Sequence, residues 1–573
     1  WAACSALAIG ALVAGALGCG DGGSRASGGA GAPADSSAPG GNVVIATVGD
    51  VDVLVPPLTG TLQGAQVVAQ LFDRLAEPGD SLAVVGDRGF RPRLATAWSW
   101  APDSLALSFR LDPRARWHDG RPVRAGDVAF SFRLYTDART ASPVAPLLAD
   151  LDSVSAPDSL TATVWFKRRS PQQFFDATYQ LYVLPEHLLR DVPPEQLAAS
   201  EFARQPIGSG RFRMARRVPG QLVELVADTA NYRGRARLDR VIWQVTADPG
   251  AAARLLLTGG ADVWESLRGD PLAQATRAPT LRTVTYPSLD VGFLAFNVRG
   301  ADGRGAHPLF ADRALRRALA AAVEREAVVR NVFDTLAVPV STPLARAVTG
   351  PTTTPLGPTH DPARARAELE ALGWRDADGD GVRERAGRPL ALRLIVPTTS
   401  EPRRRMAVLL QAQLAQVGAR VEIETLDPAA FGDAIRRSRW DALLNVWHSD
   451  PNPAGILQPW GAPGAGGRGG ANMTGWSDRA FEALVDSGTR SADPARARQY
   501  YARAYARIAD EAPALWLWET RNVMGLHRRI RPAPMRVDAW WANLADWTIP
   551  AGERTDRDRL GTTTASAAGR RAP

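Results

Sequence analysis

Residues Arg91 to Asp137 read RPRLATAWSWAPDSLALSFRLDPRARWHDGRPVRAGDVAFSFRLYTD, and the order of local patterns in this stretch decides how the whole chain is read. Leu105, Leu107, Phe109 and Leu111 alternate with Ala106, Ser108 and Arg110, the two-residue period of a strand with one face buried. Asp119-Gly120 supplies a tight turn. Beyond it Val128, Phe132 and Tyr135 recur at helical spacing, and Asp127 stands early enough to meet the positive end of the helix dipole. Arg124 occupies the position where Ser or Thr would cap that helix, so its first turn is expected to be frayed or capped by another group.

Working outward, 573 residues are too many for one core, and a prior of roughly 100 to 200 residues per domain suggests three or four. The net charge of +8 rests on arginine, because Lys167 is the only lysine. Those arginines are interspersed with Asp and Glu, as from Pro362 to Leu372, and Arg403-Arg404-Arg405 reads as a solvated face, so no nucleic-acid partner is expected. Both cysteines, Cys4 and Cys19, lie in an apolar, Ala-rich run that reads as an export signal over residues 1–19. Ala16-Leu17-Gly18-Cys19 resembles a bacterial lipobox, which implies a lipid anchor on Cys19. Residues 20–42 then read as a flexible tether and residues 551–573, which lack apolar periodicity, as a disordered tail. No later segment has the roughly 18 consecutive apolar residues of a membrane span.

The string LATAWSWAPDSLALSFRLDPRARWHDGRPVRAGDVAFSF, from Leu94, resembles the signature of the family 5 extracellular solute-binding proteins, the dipeptide, oligopeptide and nickel receptors of ATP-driven importers. Further segments are similar to that family: PIGSGRFRM from Pro206, ANYRGRARLDRVIWQV from Ala230, LLLTGGADVWESL from Leu255 and FLAFNVR from Phe293. The resemblance implies an α/β fold of two lobes, the type II, cluster C periplasmic-binding architecture, with an extra α+β domain in the first lobe. Residues 43–87, 201–285 and 511–550 would form the core of lobe I, residues 88–200 the extra domain, and residues 286–510 lobe II. The two hinge crossings would fall near Tyr286–Val298 and Glu511–Thr520.

Asp450, in LLNVWHSDPNPAGIL, is the leading candidate for a ligand-binding residue. The apolar run Ala442–Val446 reads as a buried strand, and the polar residues after it fall at a carboxyl edge, where α/β sheets bind ligands. By resemblance, Asp450 would meet the α-ammonium group of a peptide, with Trp447 as the aromatic beside it. His448, Asn452 and Trp460 are further candidates for ligand contact. The bland alternative for Asp450 is a turn residue before Pro451.

Other patterns carry less. Asp376, Asp378, Asp380 and Gly381 fit the first half of an EF-hand loop, but Gly387 stands where its bidentate Glu is needed, so a surface turn is expected. Gly18, Gly20 and Gly23, and again Gly464, Gly466 and Gly469, match G-x-G-x-x-G without a strand before or a helix after. The six histidines, His118, His187, His307, His360, His448 and His527, show no metal-ligand spacing. No cofactor, metal or catalytic residue is expected. The resemblance implies a monomeric, lipid-anchored envelope or periplasmic receptor, not an enzyme, that hands a small peptide to a membrane permease. A nickel chelate, an opine or an oligosaccharide would fit the same fold, and an envelope peptidase or a chaperone-like sensor is the alternative of another class.

Overall fold

Two antiparallel strands, Leu281–Phe296 and Ala514–His527, belong to both halves of the molecule and organise everything around them. The computed structural model describes residues 38–350, 355–462, 471–491 and 493–559. The signal segment with Cys19, most of the tether, the Gly464–Gly469 string and residues 560–573 lie outside the described residues. Along one continuous sheet the strands run in the order 420–426, 391–397, 442–448, 281–296, 514–527, 263–264, 42–48, 240–246, 222–227 and 212–218.

The core changes where the long strands cross. Tyr286, Met524 and Leu526 pack with Val43, Ile45 and Trp243 in lobe I. A few residues along, Leu289, Val291, Phe293 and Trp516 pack with the helices of lobe II. Pro287 pairs with Arg521 and Val291 with Glu519, so three residues, Ser288 to Asp290, face only Thr520. Such a bulge breaks the ladder and bends the strand. Just beyond it Gly292 lies under the Trp518 ring: a Cβ there would stand 2.0 Å from ring carbon, so only glycine fits. The chain thus passes between lobes twice. Ala514–Trp518, placed in lobe I by the sequence reading, lies inside lobe II, because its alternating Leu515, Leu517 and Trp516 fill the two faces of that lobe's sheet.

In lobe II, strands 391–397, 420–426 and 442–448 run parallel and are covered on both faces. Leu392, Leu394, Ala442 and Leu444 point to helices Arg313–Ala321 and Glu401–Ala415, whereas Ile395 and Leu443 point to helices Arg479–Arg490 and Pro494–Glu511. Burial on both sides explains the unbroken apolar run Ala442–Leu444.

In lobe I, strand 42–48 lies between two parallel neighbours, 240–246 and 263–264. The extra domain is a four-stranded antiparallel sheet in the order 95–100, 106–111, 161–166, 151–155, with helix Ala125–Thr136 against it. Leu107, Phe109 and Leu111 are buried as their alternation predicts. The helix start at Arg124 is capped from inside: the Asp127 carboxylate accepts the backbone N–H of Arg124 at 2.8 Å and of Glu186 at 3.0 Å. One apolar cluster joins the extra domain to lobe I, running from Val43 through Phe109 and Phe174 to Trp547.

The segment after Pro550 departs from expectation. Residues 551–553 form a short 3-10 turn and Asp556–Arg559 a helical turn. Asp558 accepts the backbone N–H of Asn42 at 2.7 Å and pairs with Arg529, and Arg557 pairs with Asp262. Docking here is by charge, which apolar periodicity does not register. No helix among the described residues is long and apolar enough to cross a membrane.

Candidate functional site

The carboxyl edge of the lobe II sheet faces lobe I, and there charged side chains of both lobes meet. Strand 442–448 pairs with strand 281–296 so that His448 stands opposite Asp290 and Trp447 opposite Val291. His448 Nδ1 lies 2.7 Å from Asp290 Oδ1. That hydrogen bond holds the imidazole's pKa above its ordinary value against the opposing effect of desolvation, and the charges of Asp290, Asp450 and Asp538 add to the rise. Ser449 N–H bonds back to Leu289 O at 2.8 Å, which fixes the exit of the strand.

Asp450 is half-buried at this edge. Its Oδ1 accepts the backbone N–H of Asn452 at 2.6 Å, and its Oδ2 lies 3.4 Å from the amide Nε2 of Gln180, a residue of the extra domain. The turn reading and the interlobe position are therefore both true of this carboxylate. Trp447 is half-buried against the lobe II core.

Two expected ligand residues sit elsewhere. Asn452 is fully buried and caps the 3-10 turn Pro453–Ile456, accepting the N–H of Ala454 at 2.9 Å. Trp460 is 1% exposed, edge-on to Phe293 and Trp516 at 5.2 and 5.4 Å between ring centres. The turns after Asp450 carry the chain back into the core, so nearness in sequence is not nearness to the cleft.

The facing wall comes from lobe I. The Tyr179 hydroxyl donates to Asp538 Oδ2 at 3.0 Å, and Arg536 holds both oxygens of Asp538 at 3.0 and 2.8 Å. Arg74 lies over the rings of Tyr179 and Tyr182, with 4.6 and 4.1 Å from its Cζ to the ring centres. Back on lobe II, Arg403 in the first turn of helix Glu401–Ala415 reaches Asn445 Oδ1 at 3.3 Å. Burial lowers its guanidinium pKa.

The sequence reading did not single out Gln180, Asp290, Asp538, Arg536, Arg403 or Arg74 for the site. Only Asp290 left a trace, a charge inside an otherwise apolar strand. Outside the cleft, Gln172 of the extra domain donates to the hydroxyl of Tyr501 in lobe II at 2.8 Å, both side chains being buried.

The expected surface turn after Trp374 brings Asp376, Asp378, Asp380 and Glu384 within 4.8 Å of one another, and the three aspartates accept backbone N–H groups of the same turn. It lies on the exposed rim of lobe II, and the Glu is one the EF-hand count did not reach.

Two lobes joined by a pair of crossing strands, with a charged cleft between sheet edges, define the class of two-lobed solute receptors. Residues 89–468 match the family model described as bacterial extracellular solute-binding proteins, family 5, and the chain belongs to that family. It is 23% identical over 517 residues to the oligopeptide-binding protein AppA of Bacillus subtilis, covering 88% of this chain and 92% of AppA. The structure of AppA in complex with a nonapeptide superposes with a TM-score of 0.70 at 21% identity, over 90% of this chain and 99% of that one. The substrate-binding protein CtaP of Listeria monocytogenes gives 0.77 at 22% identity, covering 89% and 99%. NikZ of Campylobacter jejuni, solved with Ni(L-His), gives 0.72 at 20%, covering 88% and 99%.

Proposed function

We propose that this chain is the receptor of an ATP-driven importer, capturing a di- or oligopeptide between its lobes and presenting it to the membrane permease without chemical change. The observation that carries the proposal is the position of Asp450: a carboxylate at the end of a lobe II strand that also meets Gln180 of lobe I. An α-ammonium group placed there would be held by a charge-assisted hydrogen bond in a gap both walls close. Arg403, cationic and half-buried at the same sheet edge, offers a partner to a ligand carboxylate. A zwitterion with separated ends, such as a short peptide, matches that pair of charges.

Closure follows from where the contacts lie. A ligand that touches both walls has those contacts only when the lobes are together, so it shifts the open and closed populations by its differential affinity. The register break at Ser288–Asp290 is the place for the bend. Attachment of a lipid to Cys19 would keep a monomeric receptor beside its permease, with residues 20–39 as the tether; Gly40, Gly41 and Asn42, expected to belong to it, are buried in lobe I instead.

Calorimetry with a tripeptide and its N-acetylated form tests the reading. Asp450→Asn should weaken binding of the free tripeptide by about ten- to a hundredfold, the equivalent of one charge-assisted hydrogen bond of roughly 1.5–3 kcal/mol, and leave the weaker acetylated form little changed. Equal losses for both forms would remove Asp450 as the ammonium partner.

A further inference from the structure

We propose that the lobe I wall carries a second binding point: a pocket for the carboxylate side chain of an acidic residue near the amino end of the captured peptide, read by Arg74. The proposal rests on the peptide reading above and narrows it to a substrate class.

The pocket is a cavity of about 110 Å³ lined by Ala65, Ala69, Arg74, Tyr179, Trp541 and Ala542, with Tyr182, Glu77, Arg536, Asp538 and Ala539 completing it. Ala65 and Ala69 are one turn apart on helix Leu62–Leu71, and their small side chains leave the space. A cavity of roughly 150 Å³ takes up benzene, so this smaller one suits a carboxymethyl or carboxyethyl group better than an aromatic ring. Tyr179, one wall of the cavity, precedes Gln180 in the chain, and Gln180 touches Asp450. A peptide anchored by its ammonium group at Asp450 would therefore bring its first or second side chain to the pocket, since each residue spans at most about 3.3–3.6 Å.

Charge at the pocket is uneven. Arg93 binds Glu77 at 2.9 Å, Arg536 binds Asp538 at 2.8 Å, and nearby Arg233 pairs with Asp73. Burial alone would raise Glu77, yet Arg93, Arg536 and Arg74 bring its pKa down to about 2, so it stays ionised and matched. Arg74 acts on Glu77 only through longer-range attraction: among the described residues no carboxylate lies within ion-pair distance of it, and its buried Nε has no hydrogen-bond partner. The rings of Tyr179 and Tyr182 cover its guanidinium, which directs its N–H donors outward in plane, the geometry that grips a carboxylate through two parallel bonds. Tyr179 is itself fixed by Asp538, and so Arg74 is held in place before any ligand arrives.

The test is calorimetry on the whole protein, freed of co-purified solute, with Glu-Ala-Ala and Ala-Glu-Ala against their Gln counterparts and Ala-Ala-Ala. At least one Glu peptide should bind about tenfold or more tightly than its Gln counterpart, as expected for charge-assisted bonds. Arg74→Gln should abolish the difference between that Glu peptide and its Gln counterpart, whatever it does to the affinity of both, and Arg74→Lys should keep part of the preference. Equal binding of Glu and Gln peptides by the wild type would overturn the pocket and leave the receptor reading standing. Failure to bind any of the five would overturn both. The wild-type comparison decides even if a variant does not fold.

Discussion

Lobe I contains two arginine-centred clusters that have opposite degrees of completion. At one end Arg529, 3% exposed, gives Nε to Asp262 at 2.8 Å, Nη1 to Asp558 at 2.7 Å and Nη2 to the carbonyl of Asn42 at 2.8 Å, while Arg557 adds a second cation to Asp262. On the cleft wall Arg74 has two aromatic rings and, among the described residues, no carboxylate within ion-pair distance. A cluster that satisfies itself holds chain segments together; a cluster that leaves one charge over waits for something from outside. The Arg529 network ties the start of strand Asn42–Val48 to the segment ending at Arg559, so the two ends of the described fold are clamped at one place.

The largest expected effect breaks the comparison at its closed end. Arg529→Ala leaves Asp262 and Asp558 buried without their shared partner, a situation that typically costs about 3–5 kcal/mol. Urea unfolding followed by tryptophan fluorescence should show that loss, with peptide affinity of the folded fraction unchanged. The Arg74→Gln variant should behave in the reverse way, stable but altered in selectivity. An Arg529→Ala protein as stable as wild type would mean that the saturated network is not what holds the segment after Pro550.

The same contrast explains what could be read from the chain. Leu105–Leu111 and Val128–Tyr135 announce a strand and a helix because burial imposes a period on them, and the structure has strand Ala106–Leu111 and helix Ala125–Thr136 there. Family resemblance supplied the two lobes. The place of Asp450 at the sheet edge is legible because a strand end precedes it; its contact with Gln180 is not, because 270 residues separate them and no pattern links them. Trp460 was misread for the opposite reason: it is near Asp450 in sequence, but the short turns Pro453–Ile456 and Leu457–Trp460 lead inward. The segment Thr555–Arg559 was missed because ion pairs, not an apolar stripe, dock it.

An intermediate effect sharpens the comparison between selective and uniform contacts. The bond from Gln172 to Tyr501 joins the lobes away from the cleft charges, and it closes over buried groups. Tyr501→Phe removes the hydroxyl and leaves the ring, so it takes about 0.5–1.5 kcal/mol from the closed form. Calorimetry should then show the same loss, about two- to tenfold, for acidic and neutral peptides alike. A loss confined to Glu peptides would contradict the assignment of selectivity to Arg74 and of closure to this pair.

The smallest effect concerns His448, whose pKa is raised by its hydrogen bond to Asp290 and by the charges of Asp290, Asp450 and Asp538. Because the folded pKa is raised, the pair with Asp290 contributes stability in full below the ordinary histidine value of about 6.5 and loses it as pH rises through the folded value. Ligand binding should move the other way. Below that value the imidazolium matches Asp290 and repels an ammonium group at Asp450; above it the unmatched carboxylate adds to the attraction. At about 4 Å in a watery cleft such a charge is worth roughly 1 kcal/mol, so affinity for a free-amino tripeptide should rise up to about fivefold as pH is raised through the folded value. The peptide's own amino group loses its proton at about pH 7.7–8.0, which lowers affinity in wild type and variant alike, so the histidine's effect is read as the difference between their profiles. His448→Gln should flatten the profile. A slope unchanged in that variant would place the titrating group elsewhere and separate the histidine from the ammonium site.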